Sequence, residues 1–384
     1  MRPAISSKIQ ALIIALAAGG FTVWWYFSPF PWLGIVMGIL GSAFIYLILT
    51  TTRMERFRRL FFIGIFLFSL TALFIIVDIL KPSSFLYWAS QHQNWLTYYH
   101  PGETIGTLAY PCTRVVSQVL LGKAAFIPSF DIWQVTFPPT FNAFMLSLVP
   151  YAATGLAFGR GICGWICPFG GLSEAMVTGK KERWQLNFLK KKTVTPKGSY
   201  YSGLKEWVKD SKFAILITVI LLSIFLAFPL VCTFCPVLWL SADVVFWSVI
   251  ALIAFFSIIL PFMTKRRWWC HICPIGAVFS LVDKISIFRV QINKNKCVQC
   301  YDCVQECRMY ALSPDDLDKK RKPTVDCIRC GRCIEACPEG AVDFYFLNTR
   351  FKARGIFITL VVVAAILWYT WLIVIMADKL AGII

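Results

Sequence analysis

Eight of the chain's fifteen cysteines fall within one polar stretch, residues 290–348. There the sequence reads CVQCYDCVQEC from Cys297 and CIRCGRCIEACP from Cys327, two copies of C-x2-C-x2-C-x3-C. Three thiolates on one tight loop reach three irons of a cube, and the fourth iron must be met from elsewhere. In paired runs of this kind the fourth Cys of each serves the other cluster. The spacing therefore predicts one [4Fe–4S] cluster on Cys297, Cys300, Cys303 and Cys337, and a second on Cys327, Cys330, Cys333 and Cys307. Zinc sites are usually built from two separated Cys or Cys/His pairs, and disulfide frameworks belong to oxidising compartments. Both readings give way to iron–sulfur.

The two runs differ in one respect. Pro338 follows the second, whereas Arg308 stands at that place in the first. The ligand is kept, so only the local loop geometry and the potential of the first run are in question. Between the runs, LSPDDLDKKRKPT (312–324) reads as a solvated loop.

Four more cysteines form two pairs, in GRGICGWICPFGG (159–171) and KRRWWCHICPIGA (265–277). Each stretch has an arginine (Arg160, Arg267), a close pair (Cys163/Cys167, Cys270/Cys273), a proline (Pro168, Pro274) and a glycine (Gly170, Gly276). Brought together, four such thiolates close one site, most simply a further iron–sulfur cluster or another metal. The arginines favour thiolate over thiol. The prolines are expected to break each helix after its pair, and the glycines to let the chain turn away. The competing reading is that small buried Cys side chains simply pack. Cys112, Cys232 and Cys235 belong to neither group. As an outer redox site they would hold a metal or form a reducible disulfide with a third, attacking thiol.

The chain is 58% hydrophobic and 15% charged, too apolar for a soluble globular domain. Apolar runs at roughly 9–27, 32–51, 60–80, 138–158, 213–231, 236–260 and 356–376 approach the about 20 residues that cross a bilayer. The expected fold is an α-helical polytopic membrane protein of about seven transmembrane helices, with an inserted cytoplasmic α+β domain for two clusters. Its parts are N-terminal helices (1–80), an outer loop region (81–137), a core with the Cys-Pro pairs (138–289), the double cluster domain (290–348) and a last helix (349–384). No cleavable signal peptide is apparent.

Net charge is +18, and 34 of the 38 Lys and Arg lie in 1–8, 52–59, 159–212 and 263–354. Such a bias predicts a cytoplasmic N-terminus and cluster domain in the inner membrane, with the C-terminus outside. Both Cys pairs then sit at inner edges, and Cys112, Cys232 and Cys235 lie outside. The basic runs read as topogenic charge and contact with membrane lipid, not as nucleic-acid binding.

Apolar runs, CGWICPFG, CHICPIG and a double ferredoxin run together resemble the NapH/MauN/NosR-type family of membrane-bound ferredoxin proteins, over roughly residues 138–348. The resemblance implies electron transfer between the quinone pool and other electron-transfer or reductase subunits in anaerobic respiration or cofactor maturation. It carries the family's Cys-Pro pairs onto Cys163/Cys167 and Cys270/Cys273. The second pair has two residues between its thiols where the first has three, which puts identical ligand geometry in doubt.

No nucleotide-binding loop, acid–base set or nucleophile triad is evident. A quinol-linked oxidoreductase subunit that moves electrons is the leading expectation. The alternatives are an assembly factor that supplies electrons to a maturing metalloenzyme, and a transmembrane thiol–disulfide carrier.

Overall fold

The computed structural model describes residues 7–26, 31–65, 152–177, 183–226, 251 and 254–380, apart from 196, 197, 199, 348 and 350. Cys112, Cys232 and Cys235 lie outside the described residues. The chain divides into two compact units, 1–67 with 155–212 and 253–370, and 68–154 with 213–252 and 371–384. Twelve of the cysteines lie in the first.

At its start, helices α1 (Lys8–Tyr26) and α2 (Pro31–Thr50) pack on each other through small residues. A Cβ on Gly38 would stand 2.7 Å from Val23 and 2.9 Å from the Gly19 carbonyl, so only glycine permits this approach. The Ser42 hydroxyl, at the same crossing, donates to the Ala15 carbonyl at 2.9 Å.

The expectation of about seven transmembrane helices is corrected here. Among the described residues, no helix is long and apolar enough to cross a membrane. Helix α5 begins with the polar turn Glu206–Lys212, which leaves 213–226 as its apolar part. The run at 236–260 is described from 254 onwards, as a wide turn over Phe255–Ile259 followed by a short helix.

The segments that carry the Cys pairs come next. Helix α3 (Gly161–Trp165) leads into α4 (Pro168–Met176). A β-hairpin, β1 (Lys190–Val194) with β2 (Tyr200–Leu204), and α5 (Glu206–Leu226) follow. Then α6 (Leu260–Thr264), α7 (Trp269–Ile272) and α8 (Pro274–Val282) repeat the short-helix, Cys, Pro-helix sequence.

Strand β3 (Phe288–Ile292) alternates buried and half-buried residues and pairs antiparallel with β4 (Val342–Phe346), Phe288 opposite Phe346 and Ile292 opposite Val342. Between them lie α9 (Asp302–Gln305) and α10 (Arg332–Ala336), each inside one cysteine run. The final helix α11 (Arg354–Leu380) begins with Phe357 stacked on Phe344 at 4.4 Å between ring centroids. Phe357 also meets Phe288, Phe158 and Trp165 edge-on. One buried ring thus ties the ferredoxin sheet to the first Cys-Pro segment.

The 312–324 stretch is more than a solvated loop. Leu312 and Leu317 are buried, and Asp316 accepts from the Ser313 hydroxyl at 2.6 Å and pairs with Lys320.

Candidate iron–sulfur sites

The two cysteine runs fold alike because their backbones turn left-handed at equivalent places. In the first run Gln299 and Tyr301 have φ of 54° and 64°; in the second, Arg329 and Gly331 have 54° and 81°. These positions flank the second Cys of each triplet. Reversing the chain twice around it draws three thiols to one side. The third residue after the fourth Cys repeats the pattern, Tyr310 at 51° and Gly340 at 59°. Arg308 in place of a proline therefore leaves the loop's sense unchanged. Left-handed φ is costly for a bulky residue; Tyr301 is buried, and its hydroxyl donates to Asp318 at 3.2 Å.

The fourth cysteines are also held alike. The Ala341 N–H donates to the Cys337 sulfur at 3.2 Å. The N–H groups of Met309, Ala311 and Leu312 bond to the Cys307 sulfur. Donors of this kind stabilise a thiolate.

A cavity lined by Cys297, Cys300, Cys303 and Cys337 lies between β3, α9 and β4, with Tyr301 and Leu317 in its wall. The grouping joins the first three Cys of one run to the fourth of the other. In the second group Cys307, Cys327, Cys330 and Cys333 act on one another electrostatically. Among the described residues no three His, Cys, Asp or Glu side chains are gathered to hold a single metal ion. One zinc needs every sulfur about 2.3 Å from a common point, whereas a cube spreads its thiolates over separate irons. The donor sets and the four-cysteine cavity fit [4Fe–4S] groups. All twelve described cysteines are free.

The Cys-Pro segments converge as well. Cys167 and Cys273 each cap a nine-residue helix, with φ/ψ of −63°/122° and −66°/121°. The unequal spacing is absorbed upstream, where α3 has five residues and α7 four. Pro168 and Pro274 thus start helices, where proline's missing N–H costs nothing, instead of ending them. Gly170 and Gly276 lie inside those helices, and Gly170 there allows a close approach. A Cβ on Gly170 would collide with the Cys163 carbonyl; one on Gly276 would sit 3.5 Å from the Arg160 guanidinium.

Electrostatics tie the four thiols together. Burial pushes Cys163 up to about 11, opposed chiefly by Arg160. Cys273 is pushed up to about 12 by burial, opposed by the N–H groups of Gly276 and Ile275. Cys167 is raised by burial, then by Cys163 and Cys273. Empty, the site holds thiols; taking up iron releases their protons.

The arginines are exchanged between the pairs. Arg160 donates to the Cys270 carbonyl at 2.7 Å and Arg267 to the Cys163 carbonyl at 3.4 Å. Both guanidiniums are fully buried. Arg160 is paired with Asp326, which also takes Lys212. Arg267 is paired with Glu174, which Arg58 meets at 3.1 Å. Burial alone would raise Glu174, but Arg267 and Arg58 outweigh it and hold the carboxyl well below the usual range.

Sequence reasoning found the twelve cysteines and both arginines. It missed Arg58, Glu174, Asp326, Asp283 and Arg329, whose partners lie over 40 residues away. It also missed His271, a buried imidazole whose ring nitrogens make no hydrogen bond among the described residues, and which burial lowers to about 3. The sole advance signal was that His271 lies inside a Cys pair.

Both Cys-Pro segments meet the second ferredoxin loop. Cys163 and Cys270 share a buried core with Met309, Ala311 and Ile328, against which Cys307, Cys327 and Cys330 pack. Trp165 donates to the Arg329 carbonyl at 3.0 Å, and Arg58 to the Gly164 carbonyl at 2.6 Å. Arg329 reaches Asp283 at 2.7 Å and also donates to the Phe158 carbonyl.

Comparison with known proteins agrees with this layout. A family model described as a 4Fe-4S dicluster domain matches residues 296–342. Another, described as a 4Fe-4S binding domain, matches 140–185 and 245–295, the segments of the two Cys pairs. An uncharacterised protein of Methanocaldococcus jannaschii is 32% identical over 209 residues, 54% of this chain and 80% of the relative. The ferredoxin-type protein NapH of Haemophilus influenzae is 27% identical over 50% of this chain and 63% of its own length. The methylamine utilization ferredoxin-type protein MauN of Methylorubrum extorquens is 29% identical over 39% of this chain and 47% of its own. No solved structure matches.

Proposed function

The chain belongs to the NapH/MauN/NosR-type ferredoxin family, and from that premise we propose that it passes electrons between quinone or quinol and redox partner proteins through three neighbouring four-cysteine sites. Ferredoxin-type electron transfer on 4Fe-4S domains comes with the family. The quinone link, the third site and the individual ligands are the proposal. Its main support is the core in which Cys163 and Cys270 pack with Ile328 against Cys307, Cys327 and Cys330.

Bound clusters would supply one-electron storage, and the chain's residues do the rest. Two groups of four would hold the ferredoxin clusters, Cys297, Cys300, Cys303 with Cys337, and Cys327, Cys330, Cys333 with Cys307. Cys163, Cys167, Cys270 and Cys273 would hold the third. Arg160 and Arg267 place buried positive charge beside those four thiolates, which lowers the cost of ionising them. Trp165, Phe357 and Ile328 exclude water. Exposure and hydrogen bonding to sulfur set cluster potentials, so these neighbours are the means by which the chain tunes the path.

Iron analysis of the reconstituted full chain tests the third site. About twelve irons per chain are expected from three sites of four, and about four fewer in Cys167→Ser. A value near eight in the unaltered chain would sink the third site. Redox titration followed by EPR, with and without a water-soluble quinol, tests the quinone link. Cluster signals indifferent to quinol would remove it.

A further inference from the structure

We propose that the rim of the Cys297/Cys300/Cys303/Cys337 cavity is the docking surface for an acidic one-electron carrier protein. The inference rests on that cavity holding a cluster, as proposed above, and adds where electrons are exchanged with a soluble partner and what recognises it.

Three observations carry it. The first is exposure. Val298, directly after the first ligand, is 56% exposed, an apolar side chain in the cavity's lining that is also open to the outside. Its counterpart Ile328 in the second run is 2% exposed and buried against the Cys-Pro segments. Cys297 and Cys300 are partly exposed, as are Cys327 and Cys330, so the contrast lies in the residues between the ligands. Electron exchange requires close approach, and among the ferredoxin loops it is this one that an outside protein can approach.

The second is charge. Lys294 and Lys296 are exposed in the turn between β3 and Cys297, and Lys296 lines the cavity. Lys322 is exposed beside them, because the Ile292 N–H at the end of β3 donates to the Arg321 carbonyl at 2.9 Å. Lys319 and Lys320 nearby are paired with Asp315 and Asp316, but these three lysines take part in no ion pair among the described residues. Among the described residues Glu339 is the acid in the cavity lining, and Asp302 and Asp318 stand beside Cys300 and Tyr301, away from the three lysines' turn.

The third is pattern. An apolar side chain flanked on one side by three exposed lysines is what a brief, steered encounter needs: charge brings the partner in, and Val298 gives a small dry contact near the ligand. The net charge of +18 adds long-range attraction of the same sign. In the exchange the reduced carrier loses one electron and the Cys297/Cys300/Cys303/Cys337 site gains it.

The probe is a reduced, acidic plant-type [2Fe–2S] ferredoxin mixed with the oxidised, reconstituted full chain in a stopped-flow instrument. The unaltered chain should react at a rate that falls steeply with salt. Lys294→Glu/Lys296→Glu/Lys322→Glu should be slower by about 10-fold or more at low salt, with the gap closing at high salt. Its iron content and its reduction by dithionite at high salt should be unchanged. Val298→Ser should lower the rate several-fold at every salt concentration. Equal rates for the triple variant and the unaltered chain, or a rate that rises with salt, would overturn the proposal. Cys300→Ser separates this from the underlying reading. Loss of about four irons with the carrier reaction intact refutes the docking surface, whereas no loss of iron refutes the cluster assignment.

Discussion

The two ferredoxin loops share a backbone and differ in what surrounds it. Val298 and Ile328 hold the same place after the first Cys, yet one faces outwards and the other is buried. Gln299 and Arg329 share the same left-handed turn. Gln299 makes one side-chain bond, to Asp318 at 3.1 Å, on an exposed surface. Arg329 is buried and tied to Asp283, Ser286 and the Phe158 carbonyl. The spacing of cysteines makes the loop; the residues between them decide whether it faces a partner or is built into the chain. The first loop is open to the outside, and the second is packed against the Cys-Pro segments.

Four changes test that contrast, in falling order of effect. Replacing a ligand is most severe. Cys330→Ser should lose about four irons and also loosen the Cys-Pro segments packed on its loop, whereas Cys300→Ser should lose a similar amount and leave them intact. Iron analysis with limited proteolysis distinguishes the two. Equal loosening would mean the loops are equally embedded.

Next is the buried charge below the second loop. Glu174→Gln leaves Arg267 without its carboxylate and Arg58 with Glu55 as its remaining acid, and breaking such a buried pair costs about 3–5 kcal/mol, readable from chemical denaturation of the full chain. Because the folded carboxyl is held below its unfolded value, its stabilisation is complete above the ordinary carboxylate range and is lost progressively as pH falls from there through the lowered folded value. The difference in stability between Glu174→Gln and the unaltered chain should therefore stay constant from neutral pH down to about pH 5. A difference that shrinks across that window would contradict the Arg58–Glu174–Arg267 arrangement.

The matched pair at the left-handed positions comes third. Arg329→Gln should cost about 3 kcal/mol, since it leaves Asp283 without its buried partner. Gln299→Ala should cost about 1 kcal/mol or less, the net worth of one exposed hydrogen bond. Similar values would erase the contrast.

The apolar pair is last. Ile328→Ala should cost about 2–4 kcal/mol through the cavity it leaves, and Val298→Ala about 0.5 kcal/mol or less. Thermal unfolding of the two variants, prepared with equal iron content, reads the difference.

Cysteine spacing by itself determined a great deal: the iron–sulfur chemistry, the two runs, and the pairing of Cys163/Cys167 with Cys270/Cys273 as candidates for one site. It did so because a cube imposes a short, fixed set of spacings on any loop that wraps it, and few other ligands ask for the same one. The family resemblance rested on those residues too. Hydrophobic composition was less informative. The seven apolar runs looked like spans, but run length measures only apolarity. It cannot show that Glu206–Lys212 opens the fifth helix, or that small residues set α1 against α2.

Tertiary structure alone decided the rest. It placed Arg160 on the Cys270 carbonyl and Arg267 on the Cys163 carbonyl, and gave Glu174 and Asp326 to them as buried counterions. It also absorbed the unequal spacing of the two pairs before Cys167 and Cys273, where their backbones coincide. Most of these contacts join residues about a hundred positions apart. A local pattern records what one loop can wrap, but charge neutralisation in a buried site depends on which distant side chains the fold delivers to it.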